Sequence, residues 1–376
     1  MVAALGHGVT TLAVGDRVAA TLLHGAFAET IVVPELAAVK LPEGVGFEVG
    51  AATLLTYATT WHALVDRANL RAGETLLVLG AAGGVGLAAV EIGKLLGARV
   101  IAAASTPEKL AVCREHGADE GIDYAREDLK ERVKSLTGGA GADVVYDPVG
   151  GAFTEAALRA TAWEGRLLIV GFAAGEIPKV PMNLVLLKGC QIAGVFWGSF
   201  AMREPAKNQA NCARILDHVA RGELRPRVDA VLPFARAGEA IERLERREVK
   251  GKLVLVPESV TTLYRPVGPE EFALLQASGW RHFPPRLADQ PIFYPVCNER
   301  YAREIAERWN VQSSGTGYVT RFAVRDDFLA GYERHTVGAR YHEEYWIPAE
   351  ELDAFNAAIV GPIEVIATYT PASTAT

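Results

Sequence analysis

The sequence is poor in cysteine. It has 4 in 376 residues (Cys113, Cys190, Cys212 and Cys297), scattered and without any CxxC spacing. That spacing excludes a structural zinc knot, and reduced thiols in a cytoplasmic protein are the simplest reading. No run of about 18 or more apolar residues occurs, so no membrane span is expected. The opening MVAALGHGVTTLAVGDRV lacks a basic stretch followed by an apolar core, so no signal peptide is expected. Positive charge is not in excess: 38 Lys+Arg against 45 Asp+Glu give a net charge of −7, which argues against broad binding to nucleic-acid phosphates. There is no internal repeat. What remains is the balance of an ordinary folded chain, 50% hydrophobic and 22% charged, with a length that suggests two or three domains.

Three zones follow one another. The first is strand-like: GDRVAATLL and GAFAETIVV are β-rich runs bounded by Gly, punctuated afterwards by Pro34 and Pro42, and Val49–Ala68 then reads as a helix. From Glu74 the pattern changes. TLLVLG (Thr75–Gly80) is a short apolar run suited to a strand buried on both faces. A Gly-rich turn, a helix to Leu96 and a second strand, RVIAAAS (Arg99–Ser105), come next. Pro107 opens the following helix, where its missing N–H costs nothing. ADVVYD (Ala142–Asp147), GRLLIVG (Gly165–Gly171) and QIAGVF (Gln191–Phe196) continue the alternation, which predicts a parallel sheet with right-handed crossovers. Helices near Asn208–Arg221 and Ala235–Arg247 precede a closing strand, Lys252–Pro257. The third zone, from about Ser259, is rich in Tyr, Trp, Phe and Arg. It carries its own strands (LYRPV, YVTRFAV, PIEVIATY) and helices (PEEFALLQASGW, Ala302–Trp309, Ala349–Ile359) before a loose PASTAT tail.

The central signal is Gly80-Ala81-Ala82-Gly83-Gly84-Val85-Gly86. Ala81, Gly83 and Gly86 stand at the spacing of a dinucleotide fingerprint, with Ala in place of the first Gly. A tight turn there lets bare backbone approach a pyrophosphate and aims a helix N-terminus at its charge. The flanking strands and helix are where the motif needs them. An NAD site usually has an acid about 20 residues further on, bonding the ribose 2′-OH. Here the second strand ends Ala102-Ala103-Ala104-Ser105-Thr106, and Glu108 comes only later, beside Lys109. Ser105 and Lys109 would accept a 2′-phosphate that a carboxylate would repel, so NADPH is the expected cofactor. The plainer alternative for Lys109 is a solvated helix residue.

At this point GDRVAA, GAFAET, AATLLTYATTWHAL, AGETLLVLGAAGGVGLAAVEIGKLLGA, ADVVYDPVGG and GKLVLVP together resemble the zinc-independent, zeta-crystallin-like quinone oxidoreductases of the medium-chain dehydrogenase/reductase superfamily, over residues 1–257. The resemblance implies reduction of a quinone or conjugated carbonyl by NADPH in a cytoplasmic, dimeric enzyme paired through the sheet edge near Gln191–Phe196. It places Thr59 near the nicotinamide. Lys109, Tyr124 and Arg247 fall at the 2′-phosphate and adenosine, and Val149, Gly171 and Phe172 at strand ends lining the cofactor cleft. Tyr124 as a surface turn residue and Arg247 as a solvated helix end are the competing readings. Zinc-using relatives carry a Gly-His-Glu motif and a four-Cys lobe, and neither is present here. His7, His24 and His62 lack clustered partners and read as structural or surface residues, His62 being the best placed of them for a substrate-side role. No acid–base pair is expected, and orientation of nicotinamide against an apolar slot supplies the catalysis.

Two departures from the family accompany the resemblance. Its members begin with further strands, including an Asn-bearing loop, ahead of the GDRV segment. The opening therefore reads as a partial GroES-like β domain with unpaired edges. A misplaced start, a remnant, or a wall supplied by another subunit would each account for it. The third zone, Thr261–Tyr369, resembles a small bacterial family labelled ADP-ribosylation/crystallin-J1-like. That resemblance implies roles for Arg265, Tyr301 and Glu344 in ADP-ribosyl transfer. An aromatic-rich small core and a protein-contact module are the alternatives.

The expected architecture is thus α/β: a doubly wound Rossmann sheet preceded by a partial β domain and followed by a small α+β domain. The expected boundaries are 1–55, 56–257, a linker 258–262, 263–369 and a tail 370–376. The expected function is a zinc-free, NADPH-dependent reductase of a quinone or conjugated carbonyl. The alternatives are a non-catalytic NADPH-binding protein that regulates or scaffolds its appended module, and an ADP-ribosyl-transfer-like C-terminal domain. Neither nucleic acid nor membrane is an expected partner.

Overall fold

Apolar strand runs alternating with capped helices build the larger part of the molecule. The computed structural model describes residues 1–286 and 290–371. The chain divides into two units, Met1–Pro257 and Glu258–Thr376.

In the first unit β1 (Val18–Ala20) pairs antiparallel with β2 (Ala38–Lys40). The run 25–33, expected to be β-rich, forms no strand, and Val32 within it is 95% exposed. It has no partner strand among the described residues, and strand propensity without a ladder leaves the backbone groups to water. Helix α1 (Phe47–Trp61) starts after an extended Gly46, with Glu48 in the first turn where the helix dipole favours an acid. It runs straight into a π-helical turn, His62–Arg67. This helix crosses the boundary expected between residues 55 and 56, so the β-rich opening and the main sheet share one continuous element.

The main sheet follows: β3 (Thr75–Leu79), α2 (Gly84–Leu95), β4 (Arg99–Ala104), α3 (Pro107–Glu115), β5 (Glu120–Asp123), α4 (Leu129–Leu136), β6 (Ala142–Asp147), α5 (Ala152–Ala160), β7 (Thr161–Ile169), α6 (Met182–Lys188) and β8 (Gln191–Gly194). Its order is β5-β4-β3-β6-β7-β8, and every ladder is parallel. Alternate residues of β3 feed two separate cores: Leu76 and Val78 on one face, Leu77 and Leu79 on the other. That is why the strand reads as an unbroken apolar run. The expected doubly wound sheet is therefore present. The direction of winding reverses between β3 and β6, which opens a crevice at the carboxyl ends of the strands. Thr106 caps α3, its Oγ1 accepting from the Lys109 amide at 3.3 Å, and Asp128 caps α4 by accepting from the Glu131 amide at 2.8 Å.

Beyond the sheet lie α7 (Trp197–Arg203), α8 (Pro205–Ala220), β9 (Val228–Pro233), α9 (Ala237–Glu245) and β10 (Lys252–Val256), with β10 parallel to β9. Buried Glu91 ties α1, α2 and the end of α3 together. It accepts from the Tyr57 hydroxyl at 2.7 Å and the Arg225 amide at 2.9 Å, and meets His116 Nδ1 at 2.6 Å.

The second unit is α+β. It holds β11 (Val260–Val267), α10 (Pro269–Ala277), β12 (Ile292–Phe293), α11 (Glu299–Ile305), β13 (Gly317–Arg325), β14 (Arg334–Thr336), β15 (Glu343–Tyr345), β16 (Ile347–Pro348) and β17 (Ile359–Tyr369). Strands β11, β13 and β17 form an antiparallel sheet. The expected linker, 258–262, is overrun by structure: β11 begins at Val260, and Thr261 donates to Asp326 at 2.6 Å. Most of the expected tail, residues 372–376, lies outside the described residues.

Candidate active site

The Gly-rich turn leaves β3 through Gly80 at φ +58 and enters α2 after an extended Gly83. A Cβ on Gly86 would sit 2.7 Å from backbone atoms of Ala81, so the helix and strand close on each other only because that side chain is missing. Gly83 and Gly251 form a parallel bridge, with the Gly251 amide donating to Ala82 O at 3.2 Å, so the turn is braced by the approach to β10. No side chain caps α2. Its first amides therefore point into the crevice with the positive end of the helix dipole behind them. Ala81, Ala82 and Gly86 are buried, while Gly83, Gly84 and Val85 stay partly open.

Lys252 was not anticipated from sequence. Its aliphatic stem packs against Gly84, where a Cβ would meet Lys252 Cδ at 3.0 Å. Burial holds its ammonium below the ordinary lysine range. The signal for it in the sequence is Gly251-Lys252 at the start of the closing strand.

At the end of β4 the structure gathers Ser105, Lys109, Tyr124 and Arg247, although Arg247 is 138 residues from Lys109. Lys109 Nζ donates to Arg247 O at 3.2 Å, and Arg247 takes a left-handed φ of +58. Tyr124 stacks at a tilt on Phe153, with ring centroids 4.6 Å apart, and its phenol is pushed up by burial against a hydrogen bond from Ser105. Glu108, an acid that would oppose a 2′-phosphate, is held below the ordinary carboxylate range by a backbone hydrogen bond and the Thr106 hydroxyl, then by Lys250 and Arg126. Those last two cations also escaped the sequence reading. The ring carries Lys109, Arg126, Arg247 and Lys250 against Glu108 and Asp123, the latter 3.6 Å from Arg126.

Asp147 shapes the crevice beyond β6. It is 1% exposed and accepts from the Val149 and Gly150 amides, both at 2.9 Å, and from the Thr154 hydroxyl at 2.6 Å. Val149 thereby leans over the turn, 3.0 Å from where a Gly80 Cβ would be. The segment after β7 clasps this loop: Ala174 N donates to Val149 O at 2.8 Å, Gly171 lies against Pro148, and Phe172 against Gly150.

Thr59 lines a neighbouring cavity of about 740 Å³, walled by the β1–β2 region, α1, the ends of β7 and β8, α7 and α8. Leu54, Leu55, Val170, Val195 and Met202 make most of it apolar. His62 is not among its lining residues. It is buried, stacked 4.0 Å from Phe200, with Nδ1 on Asp66 at 2.9 Å, and Asp66 also meets Asn211 and Lys207. His7 and His24 are exposed. Among the described residues no group of three or more His, Cys, Asp or Glu stands together to hold a metal ion. No helix of the described residues is long and apolar enough to cross a membrane.

In the second unit, two of the three residues suggested for ADP-ribosyl transfer meet, Tyr301 and Glu344, and Arg265 stands apart. Tyr264, Val296 and Glu344 lie opposite one another across adjacent strands and so share a face. Tyr301 packs with Val296 on that face and hydrogen-bonds Glu344. Arg265, one residue beyond Tyr264, points to the other face. There Glu271 grips it at 2.6 and 3.0 Å, and the Phe293 ring lies 4.4 Å away. Strand alternation is the physical reason for the separation.

Comparison with known proteins agrees with this geometry. The family model described as zinc-binding dehydrogenase matches residues 84–212, from the start of α2 into α8. A quinone oxidoreductase-like protein 2 homolog from Nematostella vectensis is 38% identical over 67% of this chain and 69% of its own length. A quinone oxidoreductase of Pseudomonas aeruginosa is 40% identical over 68% and 79%. The crystal structure of Escherichia coli quinone oxidoreductase complexed with NADPH superposes with a TM-score of 0.64 at 29% identity, covering 68% of this chain and 79% of that one.

Proposed function

Because the chain belongs to the zinc-independent quinone oxidoreductases of the medium-chain dehydrogenase/reductase superfamily, we propose that it reduces a quinone, or a conjugated carbonyl of similar shape, at the cavity beside Thr59. It is an NADPH-dependent oxidoreductase. The observation that carries the substrate reading is adjacency. An uncapped helix N-terminus, a cationic ring and a largely apolar cavity lie along one crevice.

Ala81, Ala82, Gly83, Gly84, Val85 and Gly86 take the pyrophosphate on bare amides, with Lys252 adding charge. Ser105, Lys109, Tyr124 and Arg247 take the 2′-phosphate and adenosine. Val149, Gly171 and Phe172 wall the nicotinamide, and Thr59 sets its edge against the cavity. Bound NADPH supplies a hydride. The apolar walls hold the acceptor flat, so proximity provides most of the rate. Purified protein is mixed with NADPH and a simple quinone, and loss of the reduced cofactor is followed by absorbance. Turnover is expected, and binding without oxidation would instead make the chain a non-catalytic NADPH-binding protein. Lys109→Ala is expected to weaken NADPH about tenfold while leaving NADH unchanged.

The reading extends to a homodimer. β8 closes one edge of the sheet, and Leu186, Leu187 and Phe196 stand exposed beside it. Light scattering should give twice the chain mass, and a monomer at micromolar concentration would rule this out. Four unpaired cysteines accord with a cytoplasmic setting.

A further inference from the structure

We propose that Asn208 is the hydrogen-bond donor for the carbonyl oxygen of the acceptor, an inference that rests on the cavity being the acceptor site. Few polar side chains reach that cavity: Thr21, Thr59, Asn208 and the Cys212 thiol. A carbonyl being reduced needs a donor, and a donor is useful in proportion to how firmly it is held before the reaction. Thr59 has spent its only proton, donating to Leu55 O at 2.6 Å. Thr21 offers a hydroxyl that nothing anchors.

Asn208 differs from both. Trp197 Nε1–H can only donate, so the Asn208 atom it meets at 2.9 Å is Oδ1. Cys212, one turn further along α8, directs its sulfur at the same oxygen at 3.9 Å. Burial pushes that thiol up to about 11, so it keeps its proton and can donate weakly to that oxygen. Rotating the amide by half a turn would set its NH₂ against the Trp197 N–H, donor against donor. Its orientation is therefore determined by chemistry, and the Nδ2 hydrogens, which meet no acceptor among the described residues, are left for the cavity. Trp197 is itself 8% exposed, so the clamp is rigid.

The step balances without an acid. The hydride carries two electrons to the acceptor, the dihydronicotinamide is oxidised, and the negative charge collects on the acceptor's carbonyl oxygen. The Asn208 N–H stabilises that oxygen, which then takes a proton from water. Asn208 recognises an acceptor oxygen without supplying a charge, which suits a neutral quinone or enone.

The test compares wild type, Asn208→Leu and Asn208→Asp, with Trp197→Phe as a check on the clamp, using a weakly electrophilic enone and a halogenated quinone. Asn208→Asp is nearly isosteric and still accepts from Trp197, so it serves if the leucine variant does not fold. The expected result is a fall in kcat/KM of about tenfold to a hundredfold for the enone, and a clearly smaller fall for the quinone, whose own substituents stabilise the charge. Trp197→Phe should show the same pattern with a smaller loss, and NADPH affinity should be unchanged throughout. Equal losses for both acceptors, or none, would overturn the role of Asn208 while leaving the reductase standing. If wild type neither binds nor oxidises NADPH, the functional reading fails first, and the role of Asn208 with it.

Discussion

The two units treat their chemically suggestive residues in opposite ways. In the second unit Arg265 is clamped by Glu271, and Glu344 is held by Tyr301 and the Trp346 indole at 2.9 Å. In the first unit the amides of α2 have no cap, Lys252 is partly desolvated without a charged partner, and the amide nitrogen of Asn208 is free. Residue type is similar in both, but satisfaction is not. Groups whose partners are all internal hold a fold together, whereas groups whose partners are missing await a ligand.

The sharpest way to break this comparison is Gly86→Val. The added carbons would collide with Ala81 and with Gly80 O across the turn. The expected outcome is a loss of about 3 kcal/mol or more of stability in the first unit and a fall in NADPH affinity of about a hundredfold or more, read by thermal unfolding and fluorescence titration. A variant that still binds NADPH normally would show that the amides are not the site.

Glu271→Ala probes the satisfied side. Removing one partner strands the Arg265 guanidinium, which is 10% exposed, so the second unit should lose about 3–5 kcal/mol in denaturant unfolding. NADPH affinity, measured alongside, should stay within twofold. If it fell tenfold, Arg265 and Glu271 would have to be counted with the binding residues after all.

Lys252→Met has the smallest expected effect and the most informative sign. Burial lowers the folded-state pKa of Lys252 below its unfolded value of 10.5. The unfolded chain therefore binds more protons between those two values, and stability contributed by this group rises with pH through that window. At neutral pH the buried ammonium is a cost. The methionine variant should have a slightly higher Tm without ligand, an advantage that shrinks at alkaline pH, yet should bind NADPH about fivefold more weakly. Parallel losses of stability and affinity would make Lys252 a packing residue only.

Much of the cofactor half was legible along the chain because it is local. The turn, its two strands and its helix are contiguous from Thr75 to Ala104, and Ser105 and Lys109 follow within one more turn. The cationic ring at the end of β4 was only half legible. Lys250 and Arg126 approach Glu108 through folding, and nothing in their local sequence announces it. In the opening segment, GAFAETIVV has a strand's composition and no strand, because a ladder requires a second chain segment that composition cannot supply. Of the three residues singled out in the second unit, parity sets Arg265 apart from Tyr301 and Glu344, because adjacent residues of β11 face opposite sides.

The amino-acid order alone thus determined the parallel sheet, the bare Gly-rich turn and the absence of an acid at the end of β4, since each depends on backbone sterics and periodicity within a short stretch. Only the tertiary structure decided which polar groups remain unsatisfied. It set Trp197 against Asn208, Lys252 against Gly84 and Glu271 against Arg265, because a hydrogen-bond donor is spent or spare according to what packs beside it.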